Sequence, residues 1–246
     1  MSSSTNPTVD NTVALHGWTP VPRDANAILK SRPYLHKPTP LLVRDIKFPS
    51  DDPLVAKVQA YAKEKLSPQT YNHSMRVFYF ATTILKQQFP FHDSLSPSTL
   101  ALTCLLHDIG TTPTNLRATQ LSFEFYGGLL ALDLLRGDQS QAEAVAEAII
   151  RHQDLGGTGK ITLLGQIIQL ATIYDNMGGH PYMVQADTRV DVNKNFPRNG
   201  WSGCFASTIR EENTLKPWAH TTHLGEEDFP NGVEGNLLMA EYDGWK

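Results

Sequence analysis

Four residues combine metal-binding side chains with positions where a lone polar group is out of place: His73, His107, Asp108 and Asp175. Asp175 continues the stripe Leu164, Ile167, Ile168 and Ala171 at i, i+3, i+4 and i+7, so it falls on the face of a helix that should meet the core. A carboxylate there loses several kcal/mol of solvation unless a cation or several donors meet it. A buried arginine would serve as well as a metal, and the stripe alone leaves both open. His73 shares a face with Val77, Phe80 and Ile84, and His152 with Val145 and Ile149. Taken singly, such histidines are more often hydrogen-bonded core residues than ligands. Taken together, three helices direct an imidazole or carboxylate inward, and one divalent ion would answer all of them. Two neutral imidazoles and two carboxylates balance a 2+ charge, a set that suits Zn²⁺ or another first-row divalent metal better than Ca²⁺.

Helices must carry these groups. Leu54, Val55, Val58, Tyr61 and Ala62 predict a helix near 52–65. Ser67-Pro68 and Ser96-Pro97 each pair a cap with a first-turn proline, opening the helices of His73 and of His107-Asp108. The second is expected to run through HDI and stop at Gly110 in the left-handed conformation. Ser122 is expected to cap a helix reaching Arg136, and Ser140 with Glu143 to form the capping box of one reaching His152. A fifth helix, 162–177, ends at Gly178-Gly179. No period-2 run is long enough to define a sheet, so the expected fold is all-α, a helical bundle with an irregular N-terminal arm and an aromatic-rich C-terminal tail. The expected division is an arm at 1–50, its early part mobile and its later part draped over the core, a metal-binding domain at 51–180, and an extension at 181–246 packing on it.

The chain's 246 residues, 40% hydrophobic, suffice for one substantial core. A net charge of −4 advertises no nucleic-acid surface, so the expected partner is a small molecule. Two cysteines, Cys104 and Cys204, make no disulfide framework. The start of the chain has neither a basic nor an apolar leader region, and no apolar stretch approaches membrane-spanning length. A cytoplasmic protein with no membrane partner is expected.

The order His73, His107-Asp108, Asp175 resembles the H…HD…D pattern of the HD superfamily, over about 68–177. Longer strings resemble the fungal cyanamide hydratases: LSPQTYNHSMRVFYF, SPSTLALTCLLHDIGT, SFEFYGG, QAEAVAEAIIRHQDLG, LGQIIQLATIYDNMG, FPRNGW and KPWAHTTH. The resemblance implies an HD fold, a zinc ion, hydration of cyanamide to urea by a metal-bound hydroxide, and a homo-oligomer. Residues 1–45 fall outside it, the segment after Tyr182 departs from it, and Glu124 stands where the family can carry Asp.

On this reading Asp108 orients the water and shuttles its proton, and His152 is a proton-transfer or supporting group. Thr111, Glu124 and Asn176 adjoin the motifs as candidate contacts for the substrate amine. His152 is the one histidine between Asp108 and Asp175, so one metal per chain is expected. The alternative enzyme is a nucleotide phosphohydrolase, which needs cations for the phosphate, with Arg76, Arg117 and Arg151 as candidates. A catalytically silent sensor of a small ligand is the third reading. His220 and His223 lack the partners of a zinc finger and are expected to serve packing or oligomer contact.

Overall fold

The computed structural model describes residues 7–246. The N-terminal segment forms α1 (Pro7–Leu15), β1 (Pro20–Pro22) and α2 (Ala25–Leu29). The bundle follows as α3 (Pro53–Lys65), α4 (Pro68–Gln88), α5 (Pro97–Leu106), α6 (Pro113–Ala118), α7 (Phe123–Leu134), α8 (Gln139–Ile150), β2 (Lys160–Thr162) and α9 (Leu163–Met177). The extension contributes α10 (Ala186–Asn195), α11 (Trp201–Leu215), α12 (Asp228–Glu234) and α13 (Ala240–Asp243). Short 3₁₀ turns cover Val43–Asp45, Ile109–Thr111 and His220–Leu224. The all-α class is therefore correct, and the sheet content among the described residues is one antiparallel pair, Val21 opposite Ile161. No described helix is long and apolar enough to cross a membrane.

Caps fix where the site helices begin. Ser67 accepts from the Thr70 amide and Ser96 from that of Thr99, each with proline in the first turn, while Thr162 accepts from Gly165. Each such cap contributes about 1 kcal/mol. Gly178, at φ 69°, ends α9. The capping box at Ser140 does not form: Asp138 caps α8 through the Gln141 amide, and Ser140 Oγ instead accepts from Trp18 Nε1. Ser122 precedes α7 but makes no cap bond, because its hydroxyl accepts from the His220 amide.

Mobility expected at the start of the chain falls partly on residues 1–6, outside the described residues, while Pro7–Leu15 is helical. Further along, the Leu35 and His36 amides donate to Gln88 of α4, and those of Leu41 and Val43 to Thr188 and Asp191 of α10. The extension is far more helical than its weak periodicity suggested. α11 and α12 form a second apolar cluster with α6 and α7, in which Leu116 and Phe123 meet Trp201, Phe205, Ile209, Phe229 and Val233.

Candidate metal centre

His73 sits in the second turn of α4, and His107 closes α5 as its C-terminal cap. Asp108 then leaves helical geometry, at φ −103° and ψ 13°. Adjacent residues inside a helix do not face each other. The break brings the doublet together instead, with His107 Nε2 3.2 Å from Asp108 Oδ2. Gly110 does not stop the helix in the left-handed region, as was expected. It lies in the 3₁₀ turn that follows, where a Cβ would come within 2.1 Å of the Phe123 carbonyl oxygen. The glycine lets the start of α7 close over the doublet.

Three imidazoles are oriented alike. His107 Nδ1 donates to the Cys104 carbonyl at 2.8 Å, His152 Nδ1 to that of Ile149 at 2.7 Å, and His73 Nδ1 to Asp175 Oδ2 at 2.6 Å. These acceptors assign the tautomers and leave each Nε2 as a lone pair facing inward. His73 Nε2 lies 3.1 Å from His107 Nε2 and 3.6 Å from Asp108 Oδ2, while His152 Nε2 lies 3.7 Å from Asp108 Oδ1. Neither Asp108 oxygen has a hydrogen-bond partner, and the residue is 1% exposed. A buried cluster made of acceptors alone calls for a cation at its centre. The ligand atoms of His73, His107 and Asp108 all fall within 4.8 Å of one another.

Asp175 stands behind this group. Its Oδ2 accepts from His73 Nδ1 and Arg76, and its Oδ1 from Arg76 Nε at 3.0 Å and Arg198 Nη1 at 2.9 Å. Both answers to its buried charge are thus present, since two arginines neutralise it and it orients a histidine of the cluster. Trp201 stacks on the His73 ring, centroids 4.2 Å apart, and donates to Asn176 Oδ1.

Burial pushes His73 down to about 4 against the pull of Asp175, so its imidazole is neutral. Burial and His107 together lower His152. Without a cation at the centre, Asp108 and His107 stabilise each other's charge against burial, which raises His107 and holds the Asp108 carboxyl well below its usual range; a metal ion would take the place of that proton on Nε2. Asp175 is likewise depressed, burial being overcome by Arg76 and Arg198.

Of the expected substrate contacts, Thr111 donates to the Asp108 carbonyl at 2.7 Å, and Asn176 is taken by Trp201. Glu124 keeps a buried oxygen, Oε2, without a partner, while its Oε1 accepts from Thr221 and His220. The arginines of the phosphate alternative are committed elsewhere: Arg76 to Asp175, Arg117 to Glu211, and Arg151 to Asp154 and Glu147.

Reasoning from the sequence did not single out Arg198, Trp201, Glu212 or Thr221. Arg198 and Trp201 lie within the string FPRNGW, but their roles depend on contacts made far along the chain. Glu212 follows Phe205 and Ile209 at i+7 and i+3 on the buried side of α11, the same signal that exposed Asp175. His220 reaches Glu124 from the HTTH string.

The HD domain family matches residues 70–177, which takes in α4 through α9. Two proteins of Saccharomyces cerevisiae, cyanamide hydratase DDI2 and cyanamide hydratase DDI3, are each 44% identical to the chain over 227 residues, spanning 91% of this chain and 97% of the relative. The match therefore includes the extension as well as the HD segment.

Proposed function

Because the chain belongs to the cyanamide hydratase family of HD-domain proteins, we propose that it adds water across the nitrile of cyanamide to give urea. The observation that carries this reading is the acceptor-only cluster of three inward Nε2 atoms around the unpaired oxygens of Asp108. His73, His107 and Asp108 would hold one divalent ion, with zinc the metal of choice for nitrogen and oxygen donors. Such an ion supplies Lewis acidity that lowers the pKa of a coordinated water to about 7. Asp175, expected from the sequence as a fourth ligand, is read here as the carboxylate that fixes His73, since both its oxygens are engaged.

Asp108 has a separate oxygen for each task. Oδ2 faces the two ligand histidines, and Oδ1 faces His152, so the attacking water can be oriented by one carboxylate and give its proton toward His152 Nε2. His152 is neutral and can accept it. Attack at the nitrile carbon sends an electron pair to the nitrile nitrogen, which takes a proton. The resulting isourea tautomerises to urea. Glu124 Oε2 is the free polar atom for the substrate's nitrogen end, whereas Thr111 and Asn176 hold the pocket in place.

The reading includes a cytoplasmic homo-oligomer, for which exposed Tyr182, Trp218 and Leu237 offer apolar surface. Its test is direct: protein carrying one zinc per chain should release urea from cyanamide, and His73→Ala should lose both zinc and urea formation. Phosphate release from a nucleoside monophosphate with no urea would overturn it.

A further inference from the structure

A second buried polar group lies beside the cluster, on the His152 side. Glu124 and Glu212 are both 0% exposed, one at the start of α7 and the other on α11. The Thr221 hydroxyl sits between them, 3.2 Å from Glu124 Oε1 and 3.4 Å from Glu212 Oε2, with Gln153 Oε1 also at 3.4 Å. One hydroxyl proton cannot serve three acceptors. The surrounding donors are few. The Phe123 amide donates to Glu212 Oε1 at 2.7 Å, and Lys216 Nζ is 3.8 Å away with its short bond going to the Leu121 carbonyl. On the other side, His220 Nδ1 is 3.3 Å from Glu124 Oε1. Glu124 Oε2 has no partner at all.

Two carboxylates this close and this buried do not both ionise readily, because like charges in a low-dielectric site repel. We propose that Glu124 and Glu212 hold one proton between them through the Thr221 hydroxyl, and that this pair, acting at Glu124 Oε2, is the acid that protonates the substrate's nitrile nitrogen. The proposal rests on the hydration reading and names the group that delivers the proton to nitrogen. The three histidines spend their Nδ1 protons on outward acceptors, and Asp108 is held ionised. Glu124, like Asp108, also acts electrostatically on His152. In balance, water oxygen bonds to the nitrile carbon, one π pair moves to nitrogen, and that nitrogen takes the pair's proton. The proton that His152 takes from the attacking water refills the pair within the turnover. Burial, then the charge of Glu124, pushes Glu212 up to about 7, which places the proton where neutral pH can keep it.

Glu212 never touches substrate in this scheme, so it is a positioning residue. Glu212→Gln preserves the shape and the bond from the Phe123 amide while removing the shared proton. Its kcat should fall about 100-fold, the scale of a lost general acid, with KM little changed. The wild-type kcat should decline with an apparent pKa near 7, and that limb should vanish in the variant. Difference infrared titration of the substrate-free protein should find a carboxylic-acid carbonyl band that disappears near the same pH and is absent in Glu212→Gln. Thr221→Val, which removes the bridge at nearly constant shape, should reproduce the loss if Glu212→Gln folds poorly. A Glu212→Gln enzyme with wild-type kcat and pH profile, or a wild-type protein without the titrating band, overturns the proposal. Absence of urea from the wild-type enzyme would instead sink the hydration reading, and the infrared result would still decide whether the pair holds its proton.

Discussion

Around Asp108 two of the three bonds that orient the imidazoles are short-range, and around Glu124 none is. His107 and His152 take their acceptors from the carbonyls three residues earlier, those of Cys104 and Ile149. Glu124 takes Thr221 from 97 residues later, and the Phe123 amide takes Glu212 from 89 residues later. The first region is built within the bundle, where a helix end fixes a ring and a break in the helix turns the doublet onto one side. The second is assembled when the extension folds back, through Ser122 to His220, Lys216 to Leu121 and Trp201 to Asn176. Damage to the bundle cluster should therefore remove the metal or the chemistry outright. Loss of an extension contact should instead weaken stability, affinity or proton supply by degrees.

Asp108→Asn gives the largest expected effect. The amide keeps the shape but loses the charge that faces three imidazoles, and it orients the water with one acceptor oxygen where the carboxylate has two. Turnover should drop on the order of 100- to 10,000-fold, with the metal held less tightly. Steady-state kinetics with metal analysis decides it, and a rate within tenfold of wild type would remove Asp108 from the chemistry.

Arg198→Ala tests the join between the regions. Arg198 comes from the extension yet bonds both the side chain and the carbonyl of Asp175. Arg76 remains, so the carboxylate is not stranded, and the cost should lie near the low end for breaking a buried pair, about 3 kcal/mol or roughly 6–12 °C in Tm. Metal affinity should fall about 10- to 100-fold as His73 loses its fixed orientation. Asp175 is held well below its usual carboxylate range, so its contribution to stability is complete above that range and is lost progressively as pH falls from there through its depressed pKa. The variant and wild type should accordingly converge in stability toward strongly acid pH.

This contrast also explains what the sequence made legible. His73, His107, Asp108 and Asp175 could be singled out because each interrupts an apolar helical face or adjoins a helix end, features written within a turn or two of the residue. The same rule, applied to α11, would have singled out Glu212 beside Phe205 and Ile209. Arg198 and Thr221 carry no such mark, because a polar residue in a segment without clear periodicity reads as exposed until its distant partner is known. Gly110 was recognised as special for the wrong reason. A glycine near a helix end resembles a terminator, whereas the constraint here is the Phe123 carbonyl, which comes from the next helix. Asp175 was ambiguous between arginine and metal because a stripe position registers only that a buried charge must be met.

The smallest expected effect separates support from ligation most finely. Trp201→Phe keeps an aromatic ring against His73 but removes the Nε1–H that donates to Asn176 Oδ1 at 2.8 Å. Losing one buried hydrogen bond should cost about 1 kcal/mol, or roughly 2–4 °C in Tm, leaving zinc content unchanged and kcat within a few-fold. Thermal unfolding and metal analysis on the same samples read both quantities. If zinc were lost while Tm barely moved, the extension would belong to the metal centre itself. The separation between a bundle that binds and an extension that tunes would then fail at its nearest contact.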